Sequence, residues 1–241
     1  MTLREIIDKS NKIVFFGGAG VSTESGIPDF RSEDGLYRQK YDVPPETMLS
    51  SAYFYSHTAD FYRFYRDRML PLSAQPNAAH KKLAEWERAG KLLAVVTQNI
   101  DGLHQAAGSK AVYELHGSIH RNHCLTCGKS YPAEYIANSS GVPRCDCGGL
   151  IKPDVVLYGE PLDGATVQGA LEAIMAADTL IVAGTSLTVY PAAGFVDYFH
   201  GKHLVLINRD ATPLDGKCSL VLHQKMGKVL GALPSYLPNE K

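Results

Sequence analysis

The chain has 241 residues, of which 45% are hydrophobic and 20% are charged. These values are typical of a globular protein that forms one large domain or one domain with an inserted module. Its 24 basic and 25 acidic residues give a net charge of −1, which excludes the electrostatic signature of a nucleic-acid or membrane-surface partner. The first 16 residues mix charges with short apolar groups, so we expect no signal peptide, no transmembrane span and a cytoplasmic protein.

Short apolar runs alternate with helical patterns along the chain. The runs are rich in Val, Ile and Leu and end at Gly, Asn or Asp, as expected for parallel strands that are covered on both faces. Amphipathic spacing predicts helices over residues 77–91 and 163–178. The predicted strands are KIVFF (12–16), LLAVVT (92–97), TLIVAGT (179–185), HLVLIN (203–208) and SLVLH (219–223).

Two segments interrupt this alternation. Residues 34–76 are rich in Tyr, Phe and Arg and predict helices and loops without a buried strand, while residues 121–150 contain four of the five cysteines. We therefore predict an α/β fold with a doubly wound, Rossmann-like parallel sheet, built from residues 1–33, 77–120 and 151–241. The helical insertion 34–76 and a zinc-ribbon module over 121–150 would form a smaller lobe. Ligands of such sheets bind at the carboxyl ends of the strands.

The first predicted strand leads into GGAGVSTESGIPDFRSEDGLY, residues 17–37. Its glycines, followed by a helix predicted to open at Val21, would let backbone N–H groups and the helix N-terminus face a pyrophosphate. A plain strand-to-helix turn is the alternative. The third glycine of the dinucleotide fingerprint is missing, and the chain turns into IPDFR instead.

Four cysteines form two close pairs, Cys124-Leu-Thr-Cys127 and Cys145-Asp-Cys147, separated by seventeen residues. Four thiolates satisfy tetrahedral zinc completely, which leaves no open position for a reacting water, so we predict one structural Zn²⁺. The second pair is C-x-C, whereas C-x-x-C is usual. A zinc-ribbon DNA-binding protein is the alternative, and the scarcity of flanking basic residues disfavours it.

Polar side chains follow predicted strands at three further places: TQNIDGLH (97–104), ELHGS (114–118) and AGTSLTVYP (183–191). The first supplies Gln98, Asn99 and Asp101 at a strand's carboxyl end. A lone histidine is more often structural than catalytic, but its strand-end position makes His116 a candidate general base. Thr185 and Ser186 suit contact with a phosphate or ribose, or they cap a helix.

These motifs, in this order, resemble those of the sirtuins, the NAD-dependent protein deacylases, and most closely their bacterial members. The resemblance spans essentially the whole chain and rests on GAGVSTESGIPDFR, TQNID, LHG, the paired cysteines, GTS and INR (207–209). It implies a transferase that passes the acyl group of acyl-lysine to ADP-ribose, releasing nicotinamide and free lysine. Mono-ADP-ribosyl transfer on the same scaffold is the alternative. An NAD(P)H dehydrogenase is disfavoured because no second βαβ unit follows the glycine loop.

The resemblance assigns roles to individual residues. It implies that His116 and Asn99 are catalytic, that one zinc ion binds Cys124, Cys127, Cys145 and Cys147, and that the partner is an acylated lysine peptide. The implied NAD contacts are Ala19, Gly20, Thr23, Asp29, Phe30, Arg31, Gln98, Asn99, Ile100, Asp101, Gly184, Thr185, Ser186, Asn208 and Met226. The implied peptide contacts are Val155, Val156, Tyr158, Gly159, Val189 and Tyr190. We expect a monomer with no nucleic-acid or membrane partner.

The sequence departs from the family's pattern at Gly17, at Arg209 and at the C-x-C pair. Desuccinylating relatives carry a Tyr-x-x-Arg pair, in which an arginine fork holds an acidic acyl group. Here Tyr62-Arg63-Phe64-Tyr65 has tyrosine in the arginine position, and Arg66 lies one step beyond. We therefore predict a preference for acetyl and other neutral acyl groups over succinyl.

Overall fold

A computed structural model describes residues 1–30, residue 35 and residues 43–237. Six of its strands form a parallel sheet in the order β3-β2-β1-β7-β8-β9, and three form an antiparallel sheet in the order β5-β4-β6. The strands are β1 (Ile13–Gly17), β2 (Leu92–Thr97), β3 (Val112–Glu114), β4 (Gly117–Cys124), β5 (Ser130–Tyr131), β6 (Ile151–Val155), β7 (Thr179–Ala183), β8 (His203–Ile207) and β9 (Leu220–Leu222).

Helices cover both faces of the large sheet. The helices are α1 (Leu3–Lys9), α2 (Pro45–Met48), α3 (Ser51–Ser56), α4 (Thr58–Arg68), α5 (Ala78–Arg88), α6 (Leu103–Ala106), α7 (Ala133–Asn138), α8 (Gly164–Ala176) and α9 (Met226–Gly231). Successive side chains of a strand point to opposite faces. Accordingly, Ile13 and Phe15 of β1 pack with α1, α5 and α9, whereas Val14 and Phe16 pack with α8. This two-sided burial explains why the parallel strands read as continuous apolar runs.

The strand order reverses between β1 and β7, which are parallel neighbours at the centre of the large sheet. Chain connections leave these two strands in opposite directions, so their carboxyl ends frame a crevice. The predicted α/β class with a doubly wound parallel sheet is therefore confirmed, and the five predicted strands are found within two residues of their expected ends. Among the described residues, no helix is long and apolar enough to cross a membrane.

The smaller sheet packs against the helical insertion. In the described part of that insertion, residues 43–76, the predicted helices are present as α2, α3 and α4. Its aromatic residues form the core of this lobe, where Phe54, Phe61 and Tyr65 are fully buried. The Tyr62 hydroxyl donates a hydrogen bond to the backbone carbonyl of Ile151 in β6. The aromatic composition of this segment thus reflects a packed second core, and the exact domain boundaries stay a prediction.

The helix predicted to open at Val21 was wrong. The chain after the glycine loop forms two short 3₁₀ turns, Ala19–Val21 and Thr23–Ser25, instead of an α-helix. The left-handed conformation of Gly26, with φ +83°, ends the second turn. The predicted parallel pairing of β1 and β2, connected through α5, is confirmed.

Candidate active site

The glycine loop is shaped by the close approach of the turns that follow β1 and β7. The Gly18 amide donates to Ala183 O at 3.1 Å, and the Gly20 amide donates to Gly184 O at 2.8 Å. A Cβ atom on Gly20 would lie 2.8 Å from the Gly184 Cα atom. The amides of Gly18 and Gly20 thus bond within the protein, and the predicted contact of this loop with a pyrophosphate stays a prediction. The glycines are required where the two turns touch.

Three polar side chains from two motifs form one buried network beside this loop. The Asn99 amide donates to Ser22 Oγ at 3.0 Å, and Ser22 Oγ donates to the Asp101 carboxylate at 2.6 Å. The Leu103 amide donates to the other oxygen of Asp101 at 2.9 Å. Ser22 is 1% exposed and Asn99 is 8% exposed. Because every member is held by a partner, the network fixes the orientation of Asn99 and Asp101 at the carboxyl end of β2.

His116 lies between β3 and β4, where the large sheet meets the small one. Its Nδ1 atom is 3.0 Å from the backbone carbonyl oxygen of Gln98, so Nδ1–H is the donor and Nε2 keeps a lone pair. Burial lowers the pKa of His116 below its ordinary value, and the bond to the Gln98 carbonyl raises it by less. The imidazole is consequently neutral at pH 7 and able to accept a proton.

Gln98 joins the carboxyl ends of three strands. Its amide N–H donates to Gly17 O at 2.9 Å, and its side-chain Nε2 donates to Thr185 Oγ1 at 3.1 Å. Its carbonyl holds His116. One residue after β2 thus connects the glycine loop, the turn after β7 and the imidazole.

All these groups line one cavity of about 590 Å³ at the crevice between β1 and β7, a size typical of sites for cofactors and small ligands. The small-lobe end of the cavity is mostly apolar, with Arg68 as a charged residue in its lining. Its lining there includes Leu49, Met69, Pro71 and Ile119. All the residues predicted to bind NAD or the peptide, together with His116, line this cavity, apart from Arg31, which lies outside the described residues. The cavity therefore has a polar half beside the large sheet and an apolar half beside the small lobe.

The four cysteine sulfur atoms lie within 4.8 Å of one another. The Cys124–Cys147 and Cys127–Cys145 sulfur pairs are each 3.5 Å apart. Zinc–sulfur bonds of about 2.3 Å place the sulfurs of a tetrahedral site about 3.8 Å apart, so the arrangement fits one four-thiolate zinc ion. The four cysteines stand apart from the cavity lining. A zinc ion held here would stabilise the small lobe and take no part in the reaction.

Comparison with known proteins identifies the family. The sequence profile of the Sir2 family matches residues 18–191, which include the glycine loop, the Asn99 network, His116 and the cysteine cluster. The chain belongs to the Sir2 family.

The relatives of this Sir2-family chain include proteins of known name and structure. An NAD-dependent protein deacetylase of Clostridium acetobutylicum is 60% identical over 232 residues, covering 95% of each chain. One from Clostridium perfringens is 56% identical over 233 residues, covering 95% of this chain and 96% of the relative. A solved structure described as Sir2–p53 peptide–NAD+ is 40% identical, with a TM-score of 0.84 over 95% of this chain and 96% of that chain.

Several contacts of this Sir2-family site could not be predicted from the sequence. Ser22 lies in a quoted motif, but only the fold shows that it joins Asn99 to Asp101. Arg209 was noted as a departure, and the structure shows its guanidinium paired with the Asp29 carboxylate at 3.2 Å. Glu24 accepts a hydrogen bond from the Gly227 amide at 2.6 Å, beside Met226. Each contact joins residues more than 70 positions apart, so local pattern gave no signal for it.

Both segments predicted to hold a peptide, residues 155–159 and residues 189–190, line the cavity. In the first, the Val156 amide donates to His116 O at 2.9 Å. The Tyr158 amide donates to Leu49 O at 3.0 Å, and Tyr158 O accepts from the Ser51 amide at 2.9 Å, so the Tyr158 backbone is bonded to the helical insertion. In the second, Tyr190 is 76% exposed.

Proposed function

We propose that this Sir2-family chain is an NAD-dependent protein lysine deacetylase. One observation carries the proposal: a neutral, backbone-anchored His116 lies at the junction of a polar half-cavity and an apolar half-cavity. The names of relatives at up to 60% identity over nearly the full chain support it, as does a solved neighbour described as Sir2 bound to acetylated peptide, with a TM-score of 0.84 and 39% identity.

The polar half of the cavity fits NAD. When bound, NAD supplies a ribose carbon that becomes electrophilic as the bond to nicotinamide breaks. Glycines pack the turns after β1 and β7 together, and Thr185 and Asn208 line the side of the cavity proposed for the adenosine. The fixed Asn99 and Asp101 side chains would bind the nicotinamide end. Phe30, which packs against the small-lobe core, would shield the reacting carbon.

His116 would act as the general base. Its Nε2 lone pair can take the proton of a ribose hydroxyl, since Nδ1–H is committed to Gln98 O. Gln98 is itself held by Gly17 and Thr185, so the ring keeps one orientation. Asn99 is positioned by Ser22 and by the Thr97 hydroxyl, which its backbone amide contacts at 3.0 Å. Asn99 would present its remaining amide hydrogen and oxygen to the reacting sugar.

The apolar half of the cavity would bind the acyl-lysine. Leu49, Met69 and Ile119 line this half, so burial of the aliphatic lysine chain and of a short neutral acyl group against them is favourable. The peptide backbone would lie as an added strand between Val155–Gly159 and Val189–Tyr190. Recognition through backbone groups leaves the flanking peptide sequence loosely specified.

The structure supports the predicted preference for neutral acyl groups. Tyr65, in the arginine position of desuccinylating relatives, is fully buried, and burial raises its pKa. Arg66 turns away to Ser139 and Gly141, whose oxygens it contacts at 3.2 Å and 2.8 Å. Arg68 lines the cavity but pairs with Asp67 at 2.6 Å. Succinyl-lysine peptide should therefore be turned over more slowly than acetyl-lysine peptide, and equal rates would contradict this interpretation.

The decisive experiment is mass spectrometry of the products formed from NAD and an acetyl-lysine peptide. Deacetylation yields peptide lighter by one acetyl group, nicotinamide and O-acetyl-ADP-ribose, whereas ADP-ribosyl transfer yields a heavier peptide. His116→Ala should abolish deacetylation and retain NAD binding and zinc. The exposed His200→Ala is the matched control and should behave as the wild type. Full activity in His116→Ala would show that His116 is not the general base.

We also propose that the enzyme acts as a cytoplasmic monomer. A four-thiolate zinc site needs reduced cysteines, which favours a reducing compartment. The near-neutral charge supports the absence of a nucleic-acid partner. Sedimentation equilibrium of the purified chain tests the oligomeric state, and a dimer mass would contradict the proposal.

A further inference from the structure

A tight turn follows β6 and lines the cavity. The Glu160 amide donates to Leu157 O at 2.9 Å, and Gly159 has φ +91° at the third position of this four-residue turn. A type II turn requires a positive φ at that position, which glycine adopts without strain. The turn lies in the segment that we propose binds the substrate peptide. Its conformation therefore decides which backbone groups face the substrate.

A buried lysine lies behind this turn. The Lys152 side chain on β6 is 9% exposed. Its Nζ atom donates to Pro153 O at 3.2 Å, to Val155 O at 3.1 Å and to the Glu160 carboxylate at 3.0 Å. These three bonds use all three donors of an ammonium group. The Phe54 ring of the helical insertion lies 5.9 Å from the same nitrogen.

Glu160 closes the arrangement from the other end of the turn. The carboxylate oxygen that accepts from Lys152 also accepts from the Leu157 amide at 2.9 Å. One oxygen thus ties the turn to β6 through the ammonium group and ties the two ends of the turn together. The segment from Val155 to Glu160 is consequently fixed at its start, its middle and its end.

Stability alone does not account for this ion pair. Removing two charges from water is costly, and well-packed apolar residues of similar volume are often as stabilising as a buried pair. The pair does something that apolar residues cannot do, because it supplies directed hydrogen bonds to Val155 O and the Leu157 amide. Both of these groups belong to the segment proposed to bind the peptide.

We propose that Lys152 and Glu160 are positioning residues that hold the backbone of residues 155–160 in the conformation that binds the acyl-lysine peptide. The inference rests on the proposed function. The pair contacts neither the glycine loop nor the Asn99 network, so it should govern the peptide and leave NAD binding unaffected.

The test compares Lys152→Met and Lys152→Arg with the wild type, and uses Lys81→Met, on the exposed face of α5, as a matched control. In Lys152→Met, the KM for acetyl-peptide should rise about tenfold, which corresponds to about 1.4 kcal/mol, while the Kd for NAD stays within about twofold. Lys152→Arg keeps the charge and should recover most of the affinity. Lys81→Met should match the wild type.

A double variant distinguishes a loss of peptide affinity from a loss of folding. Lys152→Met leaves the charge of the half-buried Glu160 without its ammonium partner, whereas Lys152→Met/Glu160→Met removes both charges and should fold. That double variant should still show the raised KM for peptide. Hydrogen exchange of the Leu157 amide, which loses its acceptor, should be faster than in the wild type. Equal acceleration across the whole chain would indicate a merely structural role and would overturn the inference.

The possible outcomes separate the two proposals. If the wild-type enzyme leaves acetyl-peptide and NAD unchanged, the proposed function is wrong and this inference is wrong with it. An active wild type, together with a Lys152→Met/Glu160→Met variant whose peptide KM is unchanged, overturns the inference alone. A parallel loss of NAD and peptide affinity also overturns it.

Discussion

Replacing Gly117 with alanine tests the junction between the base and the peptide edge. Gly117 follows His116, pairs with Val155 and has φ +74°. A Cβ atom there would lie 1.7 Å from Asp154 O, whereas real Cβ contacts essentially never fall below 3.0 Å. The two backbones must therefore separate by at least 1.3 Å, which breaks the 2.9 Å hydrogen bond between the Val156 amide and His116 O.

The expected magnitude follows from these two effects. A left-handed conformation costs an alanine about 1–2 kcal/mol. Loss of one or two buried hydrogen bonds adds about 1–3 kcal/mol. We expect Gly117→Ala to lower the free energy of unfolding by about 3–4 kcal/mol and the melting temperature by roughly 10 °C. The folded fraction of Gly117→Ala should also deacetylate more slowly than the wild type, because His116 and Val156 move apart.

Gly90→Ala is the matched control. Gly90 has φ +71°, but nothing lies within 4 Å of a Cβ atom built there. In Gly90→Ala, the free energy of unfolding should fall only by the cost of a left-handed alanine, about 1–2 kcal/mol. Calorimetry and steady-state nicotinamide release measure both variants. If Gly117→Ala is no less stable than Gly90→Ala and equally active, the junction between Gly117 and Asp154 is not rigid and the expected clash is wrong.

Two further predictions concern the base and the cysteines. The kcat/KM for acetyl-peptide should fall on the acid side with a midpoint below pH 6.5, because burial lowers the pKa of His116 in the free enzyme and only the neutral ring accepts a proton. At pH 6.5 more than half of the plateau value should remain, and a midpoint above 6.5 would contradict the assignment. A strong chelator should release one zinc ion per chain, lower the melting temperature and abolish activity, although the four cysteines lie outside the cavity. Cys218→Ser should keep its zinc, and release of zinc with an unchanged melting temperature would refute the structural role.

Much of the fold could be predicted because its signals are local. The buried strand Leu92–Thr97 was predicted with both ends correct, since its apolar run is bounded by polar residues. The cysteine pairs indicated their cluster because four thiolates at such spacings have few other uses. His116 was found through its place at a strand end and through the family resemblance.

The remaining features depend on contacts that no local pattern records. The partner of Ser22 lies 77 residues away, and the partner of Arg209 lies 180 residues away. The close packing of Gly18 and Gly20 against Gly184 could not be predicted, because a short glycine pattern does not record which distant turn it touches.

The anchoring of His116 has a consequence for how this base can be altered. Its Nδ1 partner is a main-chain oxygen, which every amino acid at position 98 would supply. Replacing the side chain of Gln98 can shift that oxygen but cannot delete it. The proton affinity of the ring is then adjustable mainly through how tightly its surroundings shut out water, so enzyme engineers seeking a different working pH should repack the walls around the imidazole.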